Sequence, residues 1–270
     1  MPSLAQVTAE LERIAPLRLA AEWDAVGLLV APRQDVISRV LTCLSLTPAV
    51  AAEAVQERAD LVVTHHPLPF RPVGRITGDT GTGRVLLDLV HGGCGVWSSH
   101  TAWDSAAGGI NDQLAALLRL VHVSPIEPDA ELPLAGFGRA GTAPDGETVH
   151  DLGRRIAAAL DVTVVEIVGD PGRLAGRVGI VCGSGGSSIA AVHRGGCQTL
   201  LTGEVKLHEA LEAEAAGLAV IAVGHHASEH FAMQTLAERL ATALPGLVCL
   251  ASRADRDPFT AVSMSGRPAR

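Results

Sequence analysis

Short apolar runs that stop abruptly at Gly, His or Glu, each followed by a stretch of helical periodicity, recur along this chain and restrict it to one architectural class. Residues 39–46 (RVLTCLSL), 61–64 (LVVT) and 95–99 (GVWSS) form one series, and 177–182 (RVGIVC), 199–202 (TLLT) and 218–223 (LAVIAV) another. They are too short for helices and apolar on both faces, as buried strands are. Residues 162–168 predict a further strand. Helices are expected between them. Ser3 caps the first, with Gln6 reaching back and Leu4, Val7, Leu11 and Ile14 on one face. Pro48 opens a second, residues 84–91 and 110–118 hold two more, and Thr148 caps a fifth carrying Val149, Leu152, Ile156 and Leu160. Residues 205–216 predict a helix stopped by Gly217, and Ser228 is positioned to cap a last one with Phe231, Leu236 and Leu240. Alternating strands and helices predict an α/β fold with largely parallel or mixed sheets.

The composition suits such a fold and narrows the partners. Of 270 residues 47% are hydrophobic and 19% charged, enough apolar surface for a sizeable core built of Ala, Val, Leu and Ile, because aromatics are scarce. A net charge of −8 argues against nucleic acid or an anionic membrane as the main partner. No apolar run is long enough to span a bilayer, and the first residues lack the basic and apolar regions of a signal peptide. Five cysteines, an odd number without CxxC spacing, read as reduced buried thiols in a cytoplasmic protein and argue against a thiolate metal site.

The two halves repeat one plan. RVLTCLSL…VVTHH aligns with RVGIVCGS…LLTGE at an offset of 138, and GVWSSHTAWD with VIAVGHHASE at 125, placing His100 on His225 and Asp104 on Glu229. Residues 1–122 are read as a first α/β half, 123–146 as a Pro- and Gly-rich crossover, 147–254 as a second half and 255–270 as a tail that is briefly extended and then frayed. The fold expected is two similar, interlinked α/β halves forming one unit, with mixed sheets and a metal site between them.

Four strand ends carry the residues of chemical interest: His65-His66, His100 with Asp104, Glu204, and His225 with Glu229. Ligands of open α/β sheets gather at the carboxyl ends of the strands. Such sets suit a borderline divalent ion, Zn, Fe, Ni or Mn, carboxylates can bridge two ions, and the set exceeds what one tetrahedral Zn requires. Two divalent ions would use them all and provide a clamp for hydrolysis. His91, His122, His150, His193 and His230 lack this context and read as structural or solvated.

The chain resembles the NGG-interacting-factor-three-like family, the dinuclear-metal-centre or "GTP cyclohydrolase I type two" family. The resemblance runs from Glu22-Trp23-Asp24 to Asp257-Pro258-Phe259 and rests on VVTHHPLPF (62–70), SHTAWDSAAGGIND (99–112), TGEVKLHEAL (202–211) and GHHASEHFAMQTLAERL (224–240), with FGRAG (137–141) and VCGSGGSSI (181–189) fitting as well. It implies two divalent ions held by His65, His66, Asp104, His225 and Glu229, with Glu229 bridging and His100 beside them as an extra ligand, hydrogen-bond partner or proton shuttle. It also implies a homohexameric toroid. The chain departs from the family at Ala25 (usually Asn), Ser45 (often Asp) and His226 (commonly Tyr), the last adding an imidazole able to compete with His225 for metal.

Lys206 is the single lysine in a chain with 20 arginines, so its position reads as one that needs a compact ammonium. With Glu204 and His208, four apart on a helix face, it is expected to bind substrate or move protons. The Gly/Ser turn at 183–188 reads as a tight strand-to-helix connection in preference to a phosphate cradle, and Trp23, Trp97 and Trp103 as core residues in preference to stacking platforms. The function expected is a dinuclear metal-dependent hydrolase of a small substrate, nucleotides and phosphorylated molecules included. The alternative is a non-enzymatic metal-binding or regulatory ring.

Overall fold

The structure, a computed structural model, describes residues 1–261. In chain order the first elements are α1 (Leu4–Ile14), β1 (Gly27–Val30), β2 (Arg39–Cys43), α2 (Pro48–Gln56), β3 (Leu61–Thr64), α3 (Gly81–Gly92), β4 (Gly95–Ser98), α4 (His100–Ser105) and α5 (Ile110–Leu117). Then come β5 (Val121–Ser124), β6 (Glu127–Pro128), β7 (Gly136–Phe137), β8 (Arg139–Thr142), α6 (Val149–Ala159), β9 (Glu166–Val168) and β10 (Arg177–Val181). The last are α7 (Ile189–Arg194), β11 (Thr199–Thr202), α8 (Leu207–Ala215), β12 (Ala219–Ala222), α9 (His225–His230), α10 (Ala232–Ala243) and β13 (Val248–Ala251).

Two mixed sheets result, ordered β1-β4-β3-β2-β13 and β5-β8-β10-β11-β12-β9, each with a parallel centre and antiparallel strands at one or both flanks. The duplication is written in the ladders. Val40 pairs with Leu61 and Cys43 with Thr64; 138 residues on, Val178 pairs with Thr199 and Val181 with Thr202. For the third strand the register differs from the aligned sequence. Gly95 pairs with Leu61 and Ala219 with Thr199, a strand offset of 124, and an extra residue before α9 restores the offset of 125 at His225. Gly224, at φ +96°, lies in that link.

Because the central strands are apolar on both sides, each sheet packs on two layers. Val40, Val63 and Trp97 face inward, as do Val178, Ile180 and Ile221, and together with α1, α5, α6 and α10 they make one core shared by both sheets. Leu41, Val62 and Val96 face outward onto α2 and α3, while Leu200 and Val220 face α7 and α8. The caps at Ser3, Thr47 and Thr148 accept backbone N–H groups of their first turns, as such residues do.

Several expectations are corrected. Residues 123–146 are more than a crossover: β8 lies inside the second sheet and β5 on its edge. β13, counted within the second half, pairs with β2 in the first sheet, so the chain returns to where it began. The strand expected at 162–168 forms only over Glu166–Val168, where β12 offers partners; Val164 is exposed. Ser228 does not cap the last helix. It lies inside α9, its Oγ accepting from Gly183 N (2.9 Å) and donating to His225 O (2.8 Å). The frayed end expected beyond 261 lies outside the described residues.

Candidate metal centre

The site is assembled where strands of both sheets end. His65 and His66 leave β3 with their N–H groups still donating to Cys43 and Leu44 carbonyls, and Ser98 Oγ donates to the His65 carbonyl. The chain bends there, ahead of Pro67, and the two rings settle 5.2 Å apart at a 54° tilt. α4 begins at His100 after β4 and presents Asp104 one turn later; α9 begins at His225 after β12 and presents Glu229 one turn later. The aligned pairs therefore come from equivalent places in the two halves.

Glu229 is the hub. Its side chain is 4% exposed, and Oε2 stands 3.2 Å from His66 Nε2 and 3.2 Å from His225 Nε2, while Oε1 is 3.8 Å from His65 Nε2. Asp104 Oδ1 is 3.7 Å from the same His65 nitrogen. His66, His225 and Glu229 bring ligand atoms within 4.8 Å of one another, and so do His65, His66 and His100, the two triads sharing His66. Both ring nitrogens of His65 and Oε2 of Glu229 are buried without a hydrogen bond. Buried polar atoms left unpaired are costly, and imidazoles and carboxylates converging without hydrogen-bond geometry form a donor set for a borderline divalent ion. The residues fit such an ion.

Neighbours hold these side chains in place. Ser45 Oγ meets His66 Nδ1 at 2.8 Å, Asp24 Oδ1 meets His100 Nδ1 at 2.8 Å, and Glu204 Oε1 meets His225 Nδ1 at 3.1 Å, each leaving Nε2 of the ring for the centre. Cys182 Sγ donates to Asp104 Oδ1 (3.2 Å). His100 adopts φ +22°, a conformation rare for a residue with a Cβ and one that clusters at functional sites. Gly183, at φ +63°, gives Glu229 its space, since a Cβ there would stand 2.3 Å from Oε1.

The charges are strongly coupled. Burial opposes ionisation of Glu229, but the close approach of the His225, His65 and His66 rings outweighs it and holds the carboxyl well below its usual range. The Glu229 partnership, against a burial penalty, pushes His225 up to about 9. Burial would lower His65, yet Asp104 and Glu229 raise it; in His66 burial prevails and lowers it. Asp104 is raised by burial and by the nearby Glu229.

A cleft of about 890 Å³ opens over the cluster, with His66, His100, Asp104 and Glu229 on its floor and Trp23 and Phe70 on its wall. Trp97 and Trp103 are buried as expected, but Trp23 is 67% exposed, its ring 6.3 Å from Phe70 and 5.9 Å from His100. Glu204, Lys206 and His208 are not brought together around the cluster. Glu204 supports His225, whereas Lys206 and His208 are exposed, line no part of this cleft and make no side-chain hydrogen bond or ion pair with the cluster among the described residues. Lys206 occupies the N-cap position of α8, its N–H donating to Glu209. His226 does not compete for the His225 position; it turns to His230 instead. The sequence reading missed Asp24, Cys182 and Gly183 as site residues; Asp24 lay in the Trp-Asp pair that opens the resemblance and was given no role.

Two duplicated α/β sheets whose strand ends converge on a buried histidine–carboxylate cluster define a class of protein by fold and site together. The chain belongs to the Duf34/NIF3 (NGG1p interacting factor 3) family, whose model matches residues 2–258. It is 32% identical over 255 residues to a GTP cyclohydrolase 1 type 2 homolog of Clostridium perfringens, covering 92% of this chain and 95% of that one. It is 33% identical over 265 residues to NIF3-like protein 1 of Drosophila melanogaster, covering 96% and 89%. The crystal structure of a Bacillus cereus protein related to NIF3 superposes with a TM-score of 0.90 at 20% identity, over 97% of this chain and 99% of that one. No helix among the described residues is long and apolar enough to cross a membrane.

Proposed function

We propose that the chain is a hydrolase of a small substrate, nucleotides and phosphorylated molecules included, working with two divalent ions held by His65, His66, Asp104, His225 and Glu229. The observation that carries this reading is the pair of overlapping ligand triads on the floor of an open cleft, with buried imidazole and carboxylate atoms that have no hydrogen-bond partner. Bound ions would supply Lewis-acid polarisation and acidified water. The protein's own groups do the rest. Glu229 belongs to one triad and its Oε1 faces His65 of the other, so it is the carboxylate that would be shared between the ions. Glu204, Asp24 and Ser45 fix ring orientation, and His100, with Nδ1 committed to Asp24, presents Nε2 as a ligand or proton carrier at the cleft. Trp23 and Phe70 offer apolar faces to a planar ring at one wall of the cleft.

The test is direct. Protein purified without added metal is assayed for ions per chain, then for turnover of phosphoesters, nucleotides and cyclic amides before and after chelation. The expectation is close to two ions per chain in the cluster, turnover lost on chelation, and both lost together in Glu229→Ala and His65→Ala. Metal-replete protein inert to all three substrate classes would sink the hydrolase and leave the non-enzymatic metal-binding assembly. The hexameric toroid belongs to the same proposal. Leu207 and Leu211, one turn apart on α8, are exposed by 77% and 55%, a surface suited to another copy of the chain; native mass measurement decides it.

A further inference from the structure

α9 has two working faces, and only one of them belongs to the centre described above. His225 and Glu229 point to the cleft. His226 and His230, also four apart, stack their rings against each other at 4.4 Å and 19°. Asp255, beyond β13, approaches the same pair, its Oδ2 3.8 Å from His230 Nε2. Ligand atoms of His226, His230 and Asp255 all lie within 4.8 Å of one another. We propose that these three residues form a separate site for a single borderline divalent transition-metal ion, of the Zn, Co, Fe or Ni type, which ties the C-terminal segment to the back of the helix that carries Glu229.

Three observations meet here. First, the donor set is two imidazoles one helical turn apart plus a carboxylate, three ligands with further positions open, as in many mononuclear sites. Second, His226 Nε2 is buried without a hydrogen-bond partner, an arrangement that a metal would satisfy and that a bare imidazole pays for in desolvation. Third, the carboxylate is preplaced. Asp255 is only 5% exposed and accepts from Leu44 N at 2.5 Å, while its own N–H donates to Ser252 Oγ. Binding would bring donor atoms that already lie within 4.8 Å of one another to bonding distance, against a carboxylate already held. His230 is about one-third exposed and leaves the site a path to solvent.

The site can be counted apart from the cleft. Metal-stripped full-length chain is titrated with Co²⁺, and bound ions per chain are measured by elemental analysis, with visible absorption reporting ligand geometry. His226→Tyr keeps a ring to stack on His230, and His230→Gln keeps a polar side chain at the partly exposed position; Asp255 is left intact because it also holds the Leu44 N–H. Each variant is expected to bind one ion fewer than the parent. A His65→Ala/Glu229→Ala chain is expected to retain one ion, which adding His230→Gln removes. Unchanged ion counts in both His226→Tyr and His230→Gln, with far-ultraviolet dichroism preserved, would overturn the proposal, as would a His65→Ala/Glu229→Ala chain that binds none. Failure of the cleft centre shows elsewhere, as an ion count that does not change on removing His65 and Glu229.

Discussion

A single methyl group is enough to test how tightly the centre is built. Gly183→Ala would place a Cβ against Glu229 Oε1 on a backbone at φ +63°, so the carboxylate must move. Metal affinity is expected to fall by about tenfold or more, roughly 1.4 kcal/mol, in a competition with a chelator, whereas Gly81→Ala, with open space around it, leaves affinity unchanged. Arg139 is a second residue with more partners than its surroundings suggest. It is 1% exposed, forks onto Asp112 (Nε–Oδ1 2.5 Å, Nη2–Oδ2 3.0 Å) and donates to the carbonyls of Gly136, Gly138 and Ala106. This ties β8 to the turn between α4, which carries Asp104, and α5. Arg139→Met would strand those acceptors, and a loss of about 3 kcal/mol is expected in urea denaturation. At this scale the residues gathered under the cleft were legible because histidines follow apolar strands and a carboxylate lies one turn beyond His100 and His225. Asp255 was not legible, because only the return of the chain brings it to α9. Lys206 is the opposite case: rarity singled it out, and its side chain is exposed and stands apart from the cluster.

Between residue and molecule, the segment that follows β13 acts as a strap over α2. Glu53 accepts from the N–H groups of Arg253 (3.0 Å) and Ala254 (3.1 Å) and from the Ser252 hydroxyl. Burial raises its pKa, but these donors outweigh burial and bring it below 4.5. A carboxyl depressed on folding adds stability above its unfolded value and loses it as pH falls through the folded value. Glu53→Gln is therefore expected to cost about 1 kcal/mol at pH 7 and to flatten the fall in stability below about pH 4.5. Denaturation midpoints measured between pH 3 and pH 7 check it; parallel curves for parent and variant would refute it. Helix starts and strand centres were readable at this level, because capping residues and continuous apolar runs are local signals. The length of β9 was not, since an edge strand extends only as far as its neighbour offers N–H and C=O groups.

Across the whole molecule the last strand returns to the first sheet. β13 completes the first sheet, and a single core draws on Val7 and Trp97 from one half and on Ile180 and Ile221 from the other. Residues 1–122 and 147–254 are accordingly expected to unfold together. All three tryptophans lie in the first half, so their fluorescence and the far-ultraviolet dichroism of the whole chain should report one coincident urea transition. Separated transitions would mean that the halves are independent after all. The sequence by itself determined the α/β class, the duplicated strand plan and the residues that gather at strand ends, because these depend on periodicity and on short-range order. Only the tertiary structure decided that β13 joins the first sheet, that the β4 and β12 registers differ by one residue from the alignment, and that α9 shows separate histidine faces to the cleft and to Asp255. Those outcomes depend on which distant backbone edges find each other's hydrogen bonds and which apolar faces close over one another, and no local pattern carries that information.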